Sequence, residues 1–179
     1  MASLTSGALI AIGAPRLPVF FRIQGSRGLE APRLKNSLYD ESNKVQSSME
    51  SKCEDAVGAL KGKSINFVCI DFDHTTIDIH TGGQWRGSAT DLEKHIRPFF
   101  RCFIPSLLRS EMLVSIVTFS GQVGLISDVL KRAFPDIAEE IPIRGADGSW
   151  EYVGIGNKNG KQPHMASAAA ELRTRKGNI

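Results

Sequence analysis

A nearly continuous apolar run that stops at an acidic turn constrains the fold of this chain more than any other feature. Residues 65–70 read Ile-Asn-Phe-Val-Cys-Ile, and residues 71–75 read Asp-Phe-Asp-His-Thr. A run of this length without polar alternation is typical of a parallel strand that is covered on both faces. A second such run, at 112–119, precedes a further helical segment. The two runs predict parallel strands of an α/β fold.

Helical spacing and capping residues occupy the intervals around these strands. The apolar spacing predicts a short helix over 52–61, ahead of the first strand. Ser88 can cap a helix that runs to His95, and Pro98 can begin another that runs to Arg109. Further elements are predicted at 123–134 (helix), 150–155 (strand) and 163–174 (helix). The order of elements is β-α-β-α, which indicates a parallel sheet.

The first 51 residues differ in composition from the rest of the chain. Residues 1–29 contain Arg but neither Asp nor Glu, as organellar transit peptides do, although an extension that carries no address fits equally well. Residues 35–51 are polar and read as a linker. We expect residues 1–51 to be a poorly ordered extension or targeting segment with its linker, and residues 52–179 to form the core domain. The expected compartment is the cytoplasm, and a mitochondrion or plastid is the alternative.

Composition argues against several classes of protein. The formal net charge is only +3 and aromatic residues make up 7%, so the chain lacks the electrostatic footprint of a nucleic-acid-binding protein. Cys53, Cys69 and Cys102 form no CxxC pair, which argues against a disulfide framework or a structural zinc site. No apolar run reaches the length of about 18 residues that a membrane span needs. We therefore expect a soluble protein with neither a nucleic-acid nor a membrane partner.

Two carboxylates follow the first predicted strand. Asp71 and Asp73 lie two residues apart at its carboxyl end, where open α/β sheets place their ligands. Like charges this close raise each other's pKa unless a cation balances them. Mg²⁺ is the cation that oxygen-only ligands favour. The structural alternative is that the two side chains only solvate the strand end or cap the next helix.

The hydrophobic strand followed by Asp71-Phe72-Asp73-His74-Thr75 resembles the first motif, DxDxT, of the haloacid dehalogenase superfamily of phosphatases and phosphotransferases. The resemblance implies a Rossmann-like, three-layer α/β sandwich. It implies that Asp71 is the nucleophile that forms an aspartyl-phosphate, and that Asp73 is the general acid and base. Both residues would hold Mg²⁺, Asp73 through its backbone carbonyl. Thr75 would fix the turn that carries the two carboxylates at the substrate-binding site.

The second and third motifs of that superfamily have candidates in this chain. A Ser or Thr at the end of the next core strand binds a phosphoryl oxygen, which the resemblance assigns to Thr118, with Ser120 as the alternative. A Lys near the start of a later helix neutralises the phosphoryl group. Lys161, just before the helix predicted at 163–174, takes this place, and Lys158 is the alternative. A surface lysine without a role is the structural alternative for either residue.

Two further features of the superfamily bear on this chain. Its fourth motif is an acidic pair after another strand, and the sequence ends at Ile179 without one. We expect either a truncated product of a longer protein or a C-terminally incomplete site with weakened metal binding and turnover. Residues 77–85 have the length of a small hairpin flap, so the cap would be minimal. His74, His80 and Trp85 are candidates for substrate contact, but a structural role is the alternative for each.

These features together predict a Mg²⁺-dependent phosphatase or phosphotransferase that acts through an aspartyl-phosphate on a phosphate monoester. The substrate would be a phosphorylated small molecule or a phosphoprotein. The alternative is a catalytically weak or inactive module that binds phosphate or a protein partner. A receiver-like phosphoacceptor fits less well, because its acceptor Asp follows a later strand.

Overall fold

The computed structural model describes residues 9–13, 19–21, 38–152, 154 and 159–175. A tight turn at Phe72–Thr76 and a short 3₁₀ turn at Ala138–Glu140 connect regular elements. The strands are β1 (Leu9–Gly13), β2 (Val19–Phe21), β3 (Ile65–Ile70), β4 (Leu113–Val117) and β5 (Ile143–Arg144). The helices are α1 (Leu38–Gly62), α2 (Ala89–Glu93), α3 (Pro98–Arg109), α4 (Val123–Ala133) and α5 (Gln162–Arg175).

The strands form one sheet in the order β2-β1-β3-β4-β5. Strands β3, β4 and β5 are parallel, as expected for an α/β fold, and Ile70 of β3 lies opposite Ile116 of β4. Strands β1 and β2 add an antiparallel edge beside β3. Part of the expected N-terminal extension, 9–13 and 19–21, therefore belongs to the sheet. The chain is a mixed α/β protein built around a small parallel sheet.

Side chains of β3 alternate between two apolar layers, which explains why its sequence lacks polar alternation. Val68 and Ile70 face the larger core, to which α1, α3 and α4 contribute. Phe67 and Cys69 face the other side of the sheet. That side is packed by residues of α5, namely Met165, Ala168 and Leu172. Helices therefore cover both faces of the sheet.

Helix α1 is longer than the segment predicted over 52–61. It begins at Leu38, so residues 38–51, which we interpreted as linker, are largely helical. Val45, Met49, Cys53 and Val57 follow one another at a spacing of four, but Val45 is exposed and Met49 only half-buried. Because this half of the helix contributes little to the core, its polar composition hides the helical pattern.

The elements after β3 lie close to their predicted positions, with one exception. Ser88 caps α2 by accepting a hydrogen bond from the Asp91 amide at 3.1 Å, and Pro98 occupies the first turn of α3. Helix α5 extends the predicted segment by one residue at each end. The strand predicted at 150–155 is not found at residues 150–152, and residues 153 and 155–158 lie outside the described residues.

Two further findings concern the whole described part of the chain. Its three thiols are free, and burial raises the pKa of Cys53 to about 12 and that of the fully buried Cys69 still further. A thiol that keeps its proton is a poor nucleophile, so neither of these two cysteines is a candidate catalytic group. Within the described ranges, no helix combines the length and apolarity needed to cross a membrane.

Candidate functional site

The carboxyl ends of β3 and β4 lie side by side and carry the predicted site residues. Asp71 directly follows β3, and Thr118 directly follows β4. The parallel register, with Ile70 opposite Ile116, brings the two strand ends to the same edge of the sheet. This edge is where open α/β sheets bind their ligands.

Lys161 and Asp71 form the central contact of the site. The ammonium group of Lys161, immediately before α5, pairs with Oδ1 of Asp71. The same oxygen accepts a hydrogen bond from the Phe72 amide at 2.8 Å. The side chains are only 16% and 20% exposed, so water screens this pair less than an ion pair on the surface. Lys158, the alternative lysine, lies outside the described residues.

A tight turn after β3 orients the two carboxylates. Asp73 has φ −64° and ψ 135° and His74 has φ 55° and ψ 4°, values close to those of the central residues of a type II turn. The backbone carbonyl of Asp71 accepts hydrogen bonds from the Thr76 hydroxyl at 2.7 Å and the Thr76 amide at 3.2 Å. The turn-fixing role predicted for Thr75 therefore belongs to Thr76. Within the described residues, the buried Thr75 hydroxyl has no hydrogen-bond partner.

The carboxylate of Asp73 is held by the loop that follows the turn. Its Oδ1 accepts from the Thr81 amide at 3.1 Å and its Oδ2 from the Thr81 hydroxyl at 3.0 Å. Nδ1 of His80, which accepts a hydrogen bond from the Gly82 amide at 2.9 Å, lies 3.3 Å from Oδ2. The loop therefore fixes the orientation of the Asp73 side chain. The contribution of Thr81 was not predicted, because a single threonine in a polar loop carries no pattern that marks it.

The segment 77–85, expected as a small hairpin flap, is a turn-rich loop. The residues of this described segment do not pair with one another as strands. Its one bridge joins Ile77 to Ile96, which lies beyond α2. The side chain of Gln122 fastens the loop to the start of α4 by hydrogen bonds to the backbone of Trp85. Trp85 itself packs against the main core, which favours its structural interpretation.

Thr118 and Ser120 form a chain of hydrogen bonds at the end of β4. Oγ1 of Thr118 accepts from the Ser120 amide at 3.1 Å, and Oγ of Ser120 accepts from the Gln122 amide at 3.2 Å. Both residues are buried. Each hydroxyl acts as an acceptor in these bonds, so its own proton is available to a ligand oxygen. The two candidates for the phosphoryl-binding hydroxyl thus share one turn, and the geometry does not separate them.

An aromatic cluster of Phe119, His164 and Trp150 begins beside Lys161. The ammonium nitrogen lies 5.2 Å from the centre of the Phe119 ring, within the range of a cation–π contact. The ring of His164 packs edge-on against Phe119 at 5.5 Å and lies tilted against Trp150 at 4.5 Å. Burial, and secondarily the charge of Lys161, lowers the pKa of His164. His164 therefore acts as a neutral ring in this cluster.

Asp71 and Asp73 supply the oxygen donors that a divalent cation would require. Carboxylate and carbonyl oxygens are the ligands that Mg²⁺ prefers, so the donor type fits. Within the described ranges, no group of three or more His, Cys, Asp or Glu side chains is placed to hold a metal ion. A Mg²⁺ site built on Asp71 and Asp73 would therefore need its other ligands from water or substrate.

Polar contacts of α5 with β5 position Lys161. Arg144, at the end of β5, pairs with Glu171 of α5 and donates a hydrogen bond from Nε to the Ser167 hydroxyl at 2.8 Å. Together with the apolar contacts of α5, these bonds fix the helix on which Lys161 depends.

Comparison with protein-family models, curated protein sequences and solved structures finds no match to the chain.

Proposed function

We propose that this chain is a phosphatase or phosphotransferase that acts on phosphate monoesters through Asp71. The ion pair between Lys161 and Asp71 is the observation that supports this proposal most strongly. It brings the ammonium group of Lys161, just before α5, into contact with the carboxylate of Asp71, just after β3. Phosphoryl transfer needs a nucleophile, a nearby cation and donors for the phosphoryl oxygens, and Thr118 or Ser120 would supply the hydroxyl donor.

The proposed reaction has two steps. A carboxylate oxygen of Asp71 attacks phosphorus, the bond from phosphorus to the ester oxygen breaks, and Asp73 donates a proton to the departing oxygen. Water then attacks the phosphorus of the aspartyl-phosphate and transfers a proton to Asp73. The bond to Asp71 breaks, which releases phosphate and restores the carboxylate. In a phosphotransferase an acceptor hydroxyl takes the place of water.

Mg²⁺, held by Asp71 and Asp73, would neutralise charge on the phosphoryl oxygens and on the nucleophile. The other contributions come from the chain itself. Lys161 orients Asp71 and attracts the dianionic phosphate. The Thr81 hydrogen bonds fix the position of Asp73, the residue that would move the proton.

A module that binds phosphate without turnover is the second candidate function. It is favoured by the contacts of Asp73, whose two oxygens both accept hydrogen bonds from Thr81. A general acid must reach the departing oxygen of the substrate, whereas these contacts hold both oxygens of Asp73 against the protein. A phosphorylated small molecule or a phosphoprotein would be the ligand in either case.

Hydrolysis of 4-nitrophenyl phosphate tests the proposal. With Mg²⁺ present we expect turnover that a chelator abolishes. Asp71→Asn should lower it by at least about 10⁴-fold, the scale on which loss of a covalent nucleophile acts. Activity that survives Asp71→Asn would refute the nucleophile. Binding of inorganic phosphate without any hydrolysis would support the second candidate.

A trapping experiment tests the order of events. Asp73→Asn removes the group that activates water, so we expect turnover to fall by about 10²–10⁴-fold. With 4-nitrophenyl phosphate, whose nitrophenolate can depart without a proton from Asp73, the phosphorylated protein should then accumulate. Borohydride reduction followed by peptide mass spectrometry should locate the acyl phosphate at Asp71. A label on a Ser, Thr or His would contradict the mechanism.

A further inference from the structure

Phe119 is an exposed aromatic residue beside the Lys161–Asp71 pair. It is 61% exposed, and within the described ranges only Val45 is another strongly exposed large hydrophobic residue. Val45 lies on α1, on the other side of the sheet from α5. An aromatic ring left in water loses the gain it would obtain from burial. Its position beside charged site residues calls for a functional explanation.

The ring is tied to the ion pair at the centre of the site. One of its neighbours is the Lys161 ammonium group, 5.2 Å from the ring centre, and Lys161 in turn contacts Asp71. A phosphoryl group held at Asp71 and Lys161 would therefore lie one side chain away from the ring.

The position of the Phe119 backbone is fixed on both sides. The Thr118 amide donates to the Arg144 carbonyl at 2.9 Å, and the Ser120 carbonyl accepts from the Ala146 amide at 3.0 Å. The ring packs edge-on against His164, which is about nine-tenths buried and has no hydrogen-bond partner at either ring nitrogen within the described residues. Because His164 rests on Trp150, it supports Phe119 as a flat, neutral ring. The exposed ring is thus preorganised, which reduces the entropic cost of stacking on it.

We infer that Phe119 is a specificity-determining residue, and that the site takes phosphate monoesters whose leaving group is an aromatic ring bonded directly to the phosphoryl oxygen. This inference rests on the proposed function and specifies its substrate class. The Phe119 ring centre lies 5.2 Å from the Lys161 ammonium group that would bind the phosphoryl oxygens. Because offset stacking places ring centres about 4.5–7 Å apart, a ring one ester bond from phosphorus can stack on Phe119. A phosphate that carries its ring beyond a sugar or a long alkyl chain would place that ring past Phe119.

Binding of phosphonates tests the inference without depending on turnover. The probes are inorganic phosphate, benzylphosphonate and cyclohexylmethylphosphonate, measured by titration calorimetry with the full chain. In both phosphonates a methylene group replaces the ester oxygen; they have similar size and charge but differ in aromaticity. We expect the chain to bind benzylphosphonate about 2- to 10-fold more tightly than cyclohexylmethylphosphonate, the range that an aromatic pair contributes beyond its buried area.

Substitution of Phe119 isolates the contribution of its ring. Phe119→Leu keeps an apolar side chain and should remove the preference for benzylphosphonate over cyclohexylmethylphosphonate. Phe119→Tyr should retain the preference. Val45→Ala, which truncates the other exposed hydrophobic residue, is the matched control and should change neither affinity. Circular dichroism of each variant establishes that it is folded.

The outcomes separate this inference from the proposed function. A preference that persists in Phe119→Leu, or that is absent from the unmodified chain, overturns the role of Phe119, whether or not 4-nitrophenyl phosphate is hydrolysed. A preference that depends on Phe119 in a chain without turnover supports the aromatic subsite and refutes only the catalytic proposal. Failure of all three probes to bind overturns both.

Discussion

The side-chain amide of Gln122 binds both backbone polar groups of Trp85. Its Oε1 accepts from the Trp85 amide at 2.6 Å, and its Nε2 donates to the Trp85 carbonyl at 3.0 Å. Gln122 lies just ahead of α4, and its own amide donates to the Ser120 hydroxyl. One residue thus joins the loop that carries Thr81 to the turn that carries Thr118 and Ser120.

Gln122→Glu should loosen that loop. A carboxylate can still accept from the Trp85 amide, but it cannot donate to the carbonyl, which loses its partner. Loss of one such bond costs about 1 kcal/mol, so amide hydrogen exchange over residues 77–87 should accelerate about 5-fold. Gln84→Glu, in the same loop at an exposed position, is the control. Equal rates of amide hydrogen exchange in the two variants would contradict the role of Gln122 in holding the loop.

Asp71 and Lys161 should stabilise the fold as a coupled pair. A double-mutant cycle with Asp71→Asn and Lys161→Met, measured by urea unfolding, should give a coupling free energy of about 0.5–3 kcal/mol, because both side chains are largely buried. The exposed pair between Asp91 and Lys94 is the control and should show smaller coupling. Additive effects at Asp71 and Lys161 would contradict a direct contact.

Stability should fall in mild acid because of His164. Burial lowers its pKa in the folded state below the ordinary value of 6.5, so the unfolded chain binds this proton more readily. The free energy of unfolding therefore rises with pH between the folded and the unfolded pKa, and it falls as pH drops below 6.5. His164→Phe keeps a flat ring without a titrating group, so it should flatten this part of the pH profile. An unchanged slope in urea titrations from pH 7.5 to 5.0 would contradict the assignment.

His74 should tolerate Gly better than Ala. Its φ of 55° lies in the left-handed region, which costs a residue with a Cβ about 1 kcal/mol. We expect His74→Gly to have a higher melting temperature than His74→Ala. Lys94, with φ −61°, provides the reverse comparison, since there Ala should be more stable than Gly. The same order at both positions would show that the turn geometry is not the cause.

The parts of this fold that sequence predicts are those whose pattern is local. Strands β3 and β4 are marked by uninterrupted apolar runs, and α2 and α3 by Ser88 and Pro98 at their starts. Strand β5 has only two residues, too few for a periodic signal. Strands β1 and β2 become strands by pairing beside β3, which local composition does not reveal.

The site shows the same division. The acidic turn at Asp71 and Asp73 is visible in the sequence, and Lys161 is a candidate because of the resemblance to the superfamily; the structure brings Lys161 into contact with Asp71. The hydrogen bonds from Thr76 and Thr81 depend on the path of the turn and loop in space. The place of Phe119 beside Lys161 depends on how α5 docks, so no pattern in the sequence marks it.

Helix α5 has two tasks at once. Within the described ranges it is the helix that covers Phe67, Cys69 and Val117, and Lys161 stands at its start. If α5 detached, the apolar side of the sheet that it covers would become exposed to solvent. Asp71 would lose its contact with Lys161 at the same time. Self-association and loss of ligand binding would share one cause. Cellular quality control that recognises exposed apolar surface would thus also remove the molecules in which the site is not assembled.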